Sequence, residues 1–431
     1  MKNSRQLALE ILGTYSPGCS TVSVLLNDRL ARVKDAPDKG FIRGLVWGAV
    51  RYANALDWAI NRFLVKPQKL KPLVLDILRL GAYQILYEHQ RIPAYAAVDE
   101  SVGLARIAAP WASGLVNAVL RSLVRCRDTE GSVFPRDQFD TAARWLSISQ
   151  AHPEWMVNRW LDRMGEEETS ALCAANNSPA LLTIRVNTLK VSRDAVMREL
   201  AAADVSAELC SRSSDGVIIT ERCELEKIQG YSDGHFVVQD EASQTVAHFL
   251  DPRAGETVLD VCCGSGIKTT HLAQITRNNS RICALDSDGD KIKRARALSA
   301  GMGATAVEYF PIDIRQCKER VFDKILIDAP CSGLGAIRRK PDIKWNRTAG
   351  DITARYPAMQ AAILQSCAPL LADRGTMVYA TCSTEPEENE RIVEKFIDEN
   401  PAFLLGETRR TWPHRDGIDG FFMAKLIKGT Q

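Results

Sequence analysis

From Ser4 to about Arg127 the apolar residues recur at spacings of three and four. Examples are Leu7-Leu9-Ile11-Leu12, Leu73-Val74-Ile77-Leu78-Leu80 and Leu115-Val116-Val119-Leu120-Leu123. That is the period of helices burying one face. Strand signals are absent from this stretch, and Pro67, Pro72, Pro93 and Pro110 mark breaks between successive helices. Gly131-Ser132 and Pro135 read as a linker, so an all-α domain is expected over 1-135.

Beyond the linker the pattern changes twice. A helix from His152-Pro153-Glu154-Trp155 leads into a strand-like run over 181–187, a helix over 192–202 and β-like runs at 216–220 and 235–238, which predicts a small α+β unit over 145-235. After Asp251-Pro252, strands and helices alternate. Apolar runs at 257–260, 281–286 and 324–328 enclose helical stretches beginning at Thr269 and spanning 288–300, and they predict a doubly wound parallel α/β sheet in a third domain over 236-431.

Composition sets bounds on what such a chain does. With 431 residues, 45% apolar and 25% charged, it has the make-up of a multidomain globular protein. Glu10 interrupts the first apolar stretch, and no uninterrupted run is long enough to span a bilayer, so we expect a cytoplasmic protein with no membrane partner. The net charge of +2 hides an asymmetry: residues 1–130 hold 18 Lys/Arg against 11 Asp/Glu. Such a surplus suits phosphate contacts or a simple solvated surface. The 12 cysteines include no Cys-x-x-Cys pair and have no histidines at ligand spacing, so neither a disulfide framework nor a bound metal is expected. Most are read as small buried hydrophobes.

The third domain carries a cofactor signature. Val258-Leu259-Asp260-Val261 runs into Cys262-Cys263-Gly264-Ser265-Gly266-Ile267-Lys268, a strand, a glycine turn and a helix start. Glycines let the backbone approach a ligand, and the helix start presents free N–H groups. A dinucleotide fingerprint would place glycine where Thr269 stands. Asp286, twenty residues past Gly266, ends the next strand where its carboxylate can accept both hydroxyls of a ribose, and Asp313 follows a third candidate strand where a side chain can read an adenine edge. Each aspartate alone is equally a cap or turn residue. In order, at strand ends, they favour an adenosyl ligand, and the pattern resembles the class I S-adenosylmethionine methyltransferases.

Two cysteines follow apolar runs in similar settings, Cys331 in Asp328-Ala329-Pro330-Cys331-Ser332 and Cys382 in Tyr379-Ala380-Thr381-Cys382-Ser383. Both are expected just past strand ends, the place where open α/β sheets put their chemistry. Methyltransferases acting on exocyclic amines carry Asn/Asp-Pro-Pro-aromatic at the Asp328 position, and a thiol in place of the aromatic platform argues for a carbon target. Carbon 5 of cytosine is a poor nucleophile until a thiolate adds at carbon 6, which divides one hard step into easier ones. Asp328 is the candidate for hydrogen bonding the ring N3. Lys268, Arg338, Arg339, Lys340 and Lys344 are candidates for the electropositive surroundings a thiolate needs.

These motifs, together with Arg338-Arg339-Lys340-Pro341-Asp342-Ile343-Lys344-Trp345, Glu387-Glu388-Asn389-Glu390, Asp419-Gly420-Phe421-Phe422, Gln239-Asp240-Glu241-Ala242-Ser243-Gln244 and Arg185-Val186-Asn187-Thr188, resemble the RNA 5-methylcytosine methyltransferases. Residues 91–100 and 115–121 are similar to the NusB-type helical RNA-binding fold. The fusion resembles the RsmB (Sun/Fmu) branch, bacterial methyltransferases of small-subunit (16S) ribosomal RNA, over essentially the entire chain. The resemblance implies a multidomain architecture: an all-α NusB-like domain, a small α+β RNA-recognition-like subdomain and an α/β Rossmann-like class I methyltransferase domain. It implies Cys382 as nucleophile, Cys331 in product release, Asp328 beside the base, and residues 262–268, Asp286, Asp313 and Asp328 around S-adenosyl-L-methionine. It also implies ribosomal RNA as partner and a monomer.

One departure concerns the cofactor turn. The family usually reads Cys-Ala-Ala-Pro-Gly-Gly-Lys where this chain has Cys262-Cys263-Gly264-Ser265-Gly266-Ile267-Lys268. Two other readings stay open at this point, a transfer RNA cytosine-C5 methyltransferase and a non-catalytic RNA-binding assembly factor.

Overall fold

The computed structural model describes residues 4–31, 33, 36–221, 223–317 and 321–430. The chain divides into two compact units, Met1–Ser178 with Ile337–Ala349, and Pro179–Ala336 with Gly350–Gln431. No helix among the described residues is long and apolar enough to cross a membrane.

The first unit is helical. Its described helices include Ser4–Thr14, Ala36–Arg51, Pro72–Tyr87, Ala94–Ala108 and Ser113–Thr129, and Ile11, Leu45, Ile77, Leu80, Leu120 and Leu123 are buried in their shared core. Pro72 occupies the first turn of its helix and Pro93 directly precedes another, the places where a missing N–H costs nothing. Helices Ala142–Ser149 and Glu154–Asn177 also fall in this unit, although their residues were expected in the linker and the α+β unit. Segment 337–349 joins it as well: Asp342 accepts the Val22 N–H (3.1 Å) and the Trp345 indole donates to the Val50 carbonyl (2.6 Å).

The second unit holds two sheets. Strands β1 (Leu182–Val186), β2 (Ala207–Leu209), β3 (Gly216–Ile219) and β4 (Phe236–Val238) form an antiparallel sheet in the order β2-β3-β1-β4, with helices Arg193–Ala202 and Gln229–Ser232 between strands. This is a split βαβ arrangement. Its fourth strand lies past the boundary at 235 expected from the sequence. Strands β5 (Thr257–Val261), β6 (Arg281–Leu285), β7 (Val307–Phe310), β8 (Phe322–Asp328), β9 (Leu371–Thr381), β10 (Phe403–Thr411) and β11 (Phe421–Lys428) form the larger sheet, in the order β10-β11-β9-β8-β5-β6-β7. The five strands from β9 to β7 in that order are parallel, and β11 and β10 close the edge antiparallel. Strands β5, β6 and β8 are buried apolar runs, as parallel strands covered on both faces must be.

Polar groups pin the two sheets together. Arg185, fully buried on β1, donates to the Gln239 side chain (2.5 Å), the Ile267 carbonyl (2.7 Å) and Thr270 Oγ1 (2.9 Å), while the Asn187 amide donates to the carbonyls of Gly234 and Met302 (both 2.7 Å). Asp215 Oδ2, just before β3, accepts from Nε2 of both His248 and His271 (2.9 Å each). Burial, with Arg185 adding to it, pushes the His271 imidazole down to about 3, and its two histidine partners hold Asp215 well below the carboxylate range despite burial.

A buried histidine that folds neutral binds fewer protons than its unfolded form below about pH 6.5, so it costs stability as pH falls from there towards about 3. His271→Gln cannot take up that proton. It is expected to be less stable than the wild type near neutrality, and to recover roughly 2 kcal/mol of the difference by about pH 5. Thermal melts across that range check this, and parallel pH curves for the two proteins would remove His271 from the acid response.

Candidate active site

The register of the large sheet assembles the chemistry. β8 and β9 are parallel neighbours with Asp328 opposite Ala380, so the segments leaving their carboxyl ends run side by side. The Ala329 N–H donates to the Ala380 carbonyl and the Gly335 N–H to the Cys382 carbonyl (both 2.9 Å), and the two sulfurs, Cys331 Sγ and Cys382 Sγ, come to 3.3 Å. Gly420 fixes the third side. Its N–H donates to the Gly335 carbonyl, and a Cβ on Gly335 would meet the Gly420 carbonyl oxygen, so the closing Asp419-Gly420-Phe421 motif is there to let two backbones touch.

Lys268 is the cation of this site. It sits in the helix Ile267–Ile275 that follows the glycine turn, bonds Asp328 Oδ2 at 2.7 Å and lies 5.6 Å from the centre of the Phe421 ring. Burial opposes its charge, but Asp328, with Cys382 adding to it, carries the ammonium above its ordinary range. The Cys331 thiol is raised as well, which keeps it neutral. Its hydrogen bond to Cys382, burial and the nearby Glu388 carboxylate all hold its thiol protonated.

The other expected cations belong to the helical unit. Lys344 belongs to the helical unit, where its buried Nζ donates to the carbonyls of Arg51 (2.9 Å) and Ala151 (2.8 Å) and to Asn177 Oδ1 (2.9 Å). Arg338, Arg339 and Lys340 fall in the same unit, and the Arg338 carbonyl accepts from Arg51 (2.9 Å). A basic run read as thiol-activating is therefore, at Lys344, the buried anchor of a helical core.

Next to the thiols, across Pro330, lies a cavity of about 510 Å³ walled by residues such as Val261, Leu285, Ile312 and Ile363. Of the residues expected at the cofactor, Cys262, Asp286 and Asp313 line it. Asp286 ties the glycine turn to the next strand by accepting the N–H of Gly264 (3.0 Å) and of Asp288 (2.9 Å). Asp313 is held by Arg315 through two parallel bonds (2.8 and 2.7 Å), which with the Arg315 N–H bring its carboxyl down to about 2.

The turn itself is compact. Cys262, Gly264 and Gly266 all have positive φ (61°, 59° and 81°), and a Cβ on Gly266 would sit 2.9 Å from both Ala295 Cβ and the Tyr309 hydroxyl. Ser265 is exposed and Ile267 half-buried; the Ile267 carbonyl takes the Arg185 bond. The Cys262 thiol is pushed up to about 12 and that of Cys263 higher still, by burial and the surrounding aspartates, so both are held protonated. Thr269, where a dinucleotide turn would have its third glycine, bonds Asp260 Oδ2 (2.6 Å).

Three residues of this site were not read from the sequence. Asp260 is completely buried at the end of β5, Oδ1 has no hydrogen-bond partner among the described residues, and burial pushes its carboxyl up to about 7. Its place immediately before the glycine turn was the available signal. Glu388 and Gln360 lie beneath the cysteines, and only the Glu387-Glu388-Asn389-Glu390 run hinted at the first. An adenosyl group fits what is present: an apolar slot, two carboxylates at strand ends and an unpaired buried oxygen beside the turn.

Comparison with known proteins agrees with this layout. Residues 247–427 match the model of the 16S rRNA methyltransferase RsmB/F family, 152–226 the ferredoxin-like domain of RsmF/B-like methyltransferases and 2–125 the NusB family. The chain is 34% identical over 447 residues to the probable ribosomal RNA small subunit methyltransferase B of Bacillus subtilis, covering 98% of each chain. It is 35% identical over 443 residues to ribosomal RNA small subunit methyltransferase B of Pseudomonas putida, covering 99% of this chain and 98% of the relative. Among solved structures, PH0851 superposes over 99% of both chains with a TM-score of 0.81 at 25% identity. A methyltransferase homologue from Pyrococcus horikoshii covers 67% of this chain and 100% of its own at a TM-score of 0.61 and 27% identity. A NusB-type helical domain, a ferredoxin-like subdomain and a Rossmann-like catalytic domain that uses S-adenosylmethionine are thus joined in one chain, which belongs to the 16S rRNA methyltransferase RsmB/F family.

Proposed function

We propose that this enzyme methylates carbon 5 of a cytosine in small-subunit ribosomal RNA through a covalent adduct between Cys382 and carbon 6. The observation that carries the reading is the pair of sulfurs 3.3 Å apart at adjacent strand ends, beside an ion-paired lysine. S-adenosylmethionine supplies an electrophilic methyl group; Asp286 is placed to accept its ribose hydroxyls and Asp313 to read its adenine, once Arg315 yields.

The division of labour follows from the surroundings. Lys268 interacts electrostatically with Cys382, which supports that sulfur as the one that attacks. As the Cys382 sulfur bonds to carbon 6, electrons of the 5,6 double bond shift into the ring, and the Asp328–Lys268 pair offers a proton to N3. The resulting enamine carbon 5 takes the methyl group, and N3 returns its proton to the Asp328–Lys268 pair, so that the methylated ring is neutral. Loss of the carbon 5 proton to a base then restores the double bond and expels the Cys382 sulfur, and the Cys331 S–H supports it with a hydrogen bond as it leaves.

The basic surplus of residues 1–130 and the NusB-type fold support RNA binding by the helical unit, and a ribosomal RNA substrate supports a cytoplasmic location; we read the enzyme as a monomer. Retention of Asp286, Asp313, Asp328, Cys331 and Cys382 speaks against a non-catalytic assembly factor.

Cys382→Ala is expected to abolish transfer of labelled methyl groups to RNA, a loss of about a thousandfold or more; wild-type turnover in that variant would overturn the covalent reading. Cys331→Ala is expected to accumulate a protein–RNA adduct that survives a denaturing gel. For the substrate, bisulfite mapping of RNA from a deletion strain is expected to show one 5-methylcytosine of the small-subunit RNA missing. If all of them persist while a transfer RNA loses one, the substrate is transfer RNA.

A further inference from the structure

Beneath the two sulfurs lies a carboxylate that the proposed chemistry does not use. Glu388 ends the short turn Pro386–Glu388, seven residues past the end of β9, and it is completely buried. Its Oε1 accepts from Ser332 Oγ (2.5 Å) and Ser383 Oγ (2.7 Å), and its Oε2 from the Ser332 N–H (2.7 Å) and the Gln360 amide (3.2 Å). Ser332 follows Cys331 and Ser383 follows Cys382 in the chain. One carboxylate therefore holds the residue next to each thiol.

The surroundings make that brace rigid. Gln360, on the helix Tyr356–Cys367, also donates to the Pro330 carbonyl (3.0 Å), so the segment before Cys331 is held as well as the one after it. The Tyr379 hydroxyl of β9 donates to the Glu388 carbonyl (2.6 Å), and Asn389 bridges Thr381 Oγ1 (2.6 Å) and the Ser383 carbonyl (3.0 Å). Among the described residues, the four hydrogen bonds to the Glu388 carboxylate all come from neutral groups. A carboxylate buried with no cationic partner among its hydrogen bonds is a costly way to fasten two turns, because neutral side chains of the same shape would do so without burying a charge. Burial raises its carboxyl while the bonds from Ser332, Ser383 and Gln360 lower it; in its charged form it raises the Cys331 thiol, and Lys268 interacts with Cys382.

We propose that Glu388 is the positioning residue of the covalent site, fixing the spacing of the two thiols and, by facing Cys331 with a negative charge, leaving Cys382 as the sulfur that attacks. This rests on the cysteine mechanism proposed above. Glu388 touches no reacting atom; it acts through the serines and through the field at Cys331. Among the described residues, the titratable groups acting on that thiol are Cys382 and Tyr379 on or after β9 and Glu388 itself, while Lys268, paired with Asp328, interacts with Cys382.

The test uses Glu388→Gln in the full-length enzyme, with Ser383→Ala as a milder variant that keeps the carboxylate and removes one of its bonds. Glu388→Gln is expected to lower kcat about a hundredfold, as a sub-ångström to ångström displacement of reacting groups does, while KM for RNA and for S-adenosylmethionine stays within about twofold. Alkylation by iodoacetamide, followed by mass spectrometry across pH, reads each thiol separately. The Cys331 midpoint is expected to move down and its labelling to gain on that of Cys382. Ser383→Ala is expected to lose kcat by about tenfold with the alkylation midpoints little changed. Unchanged kcat and unchanged alkylation in Glu388→Gln would overturn the inference, as would a loss confined to KM. Should Glu388→Gln fail to fold, wild-type kcat in Ser383→Ala overturns it. A changed Cys331 midpoint together with full turnover in Cys382→Ala would instead leave the brace standing and refute the covalent mechanism.

Discussion

The parallel pairing of β8 with β9 is the constraint on which the catalytic unit depends. With Asp328 opposite Ala380, two chains leave the sheet in the same direction about one strand spacing apart, and their cysteines have nowhere to go but towards each other. Slipping the register by one residue would turn Asp328 to the other face of the sheet and carry Cys331 with it. Nothing in the loops themselves would then restore the pair. The loops only refine what the sheet has set, through backbone bonds from Ala329 and Gly335 and through the close approach of Gly335 and Gly420.

The cofactor turn is organised differently from the pattern usual in its family, yet the physical requirements are met by other residues. Gly266 gives the left-handed backbone and the tight packing against Ala295, and Thr269 spends its hydroxyl on the buried Asp260 rather than leaving space for a ligand. The Ile267 carbonyl is taken by Arg185 from the small sheet, so the start of the helix that presents Lys268 is held from outside the large sheet. The Arg-Val-Asn run of β1 thereby has a structural reason: its arginine and its asparagine are buried polar bolts between the sheets.

The helical unit shows how a motif can mislead when read for charge alone. Arg338-Arg339-Lys340-Pro341-Asp342-Ile343-Lys344-Trp345 follows the Cys331 loop in sequence, and its basic residues suggested thiol activation. The run is instead built into the helical unit, with Lys344 fully satisfied by three oxygens, Trp345 on the Val50 carbonyl and Asp342 on the Val22 N–H. Charge in a sequence says nothing of burial, and a buried lysine with three acceptors is a fastener rather than a field.

The sequence by itself determined the elements, because period-3.6 and buried apolar runs are local signals, and it exposed the cysteines, Asp286, Asp313 and Asp328, because side chains at strand ends before turns stand out from their neighbours. It also marked the glycine turn, since positive φ calls for glycine at Gly264 and Gly266. Only the tertiary structure decided that the two thiols meet, that Lys268 rather than Lys344 is their cation, and that Glu388, Gln360 and Asp260 belong to the site. Those facts rest on strand order and on which polar groups lose water when separate segments pack together, and neither is a property of any one stretch of chain.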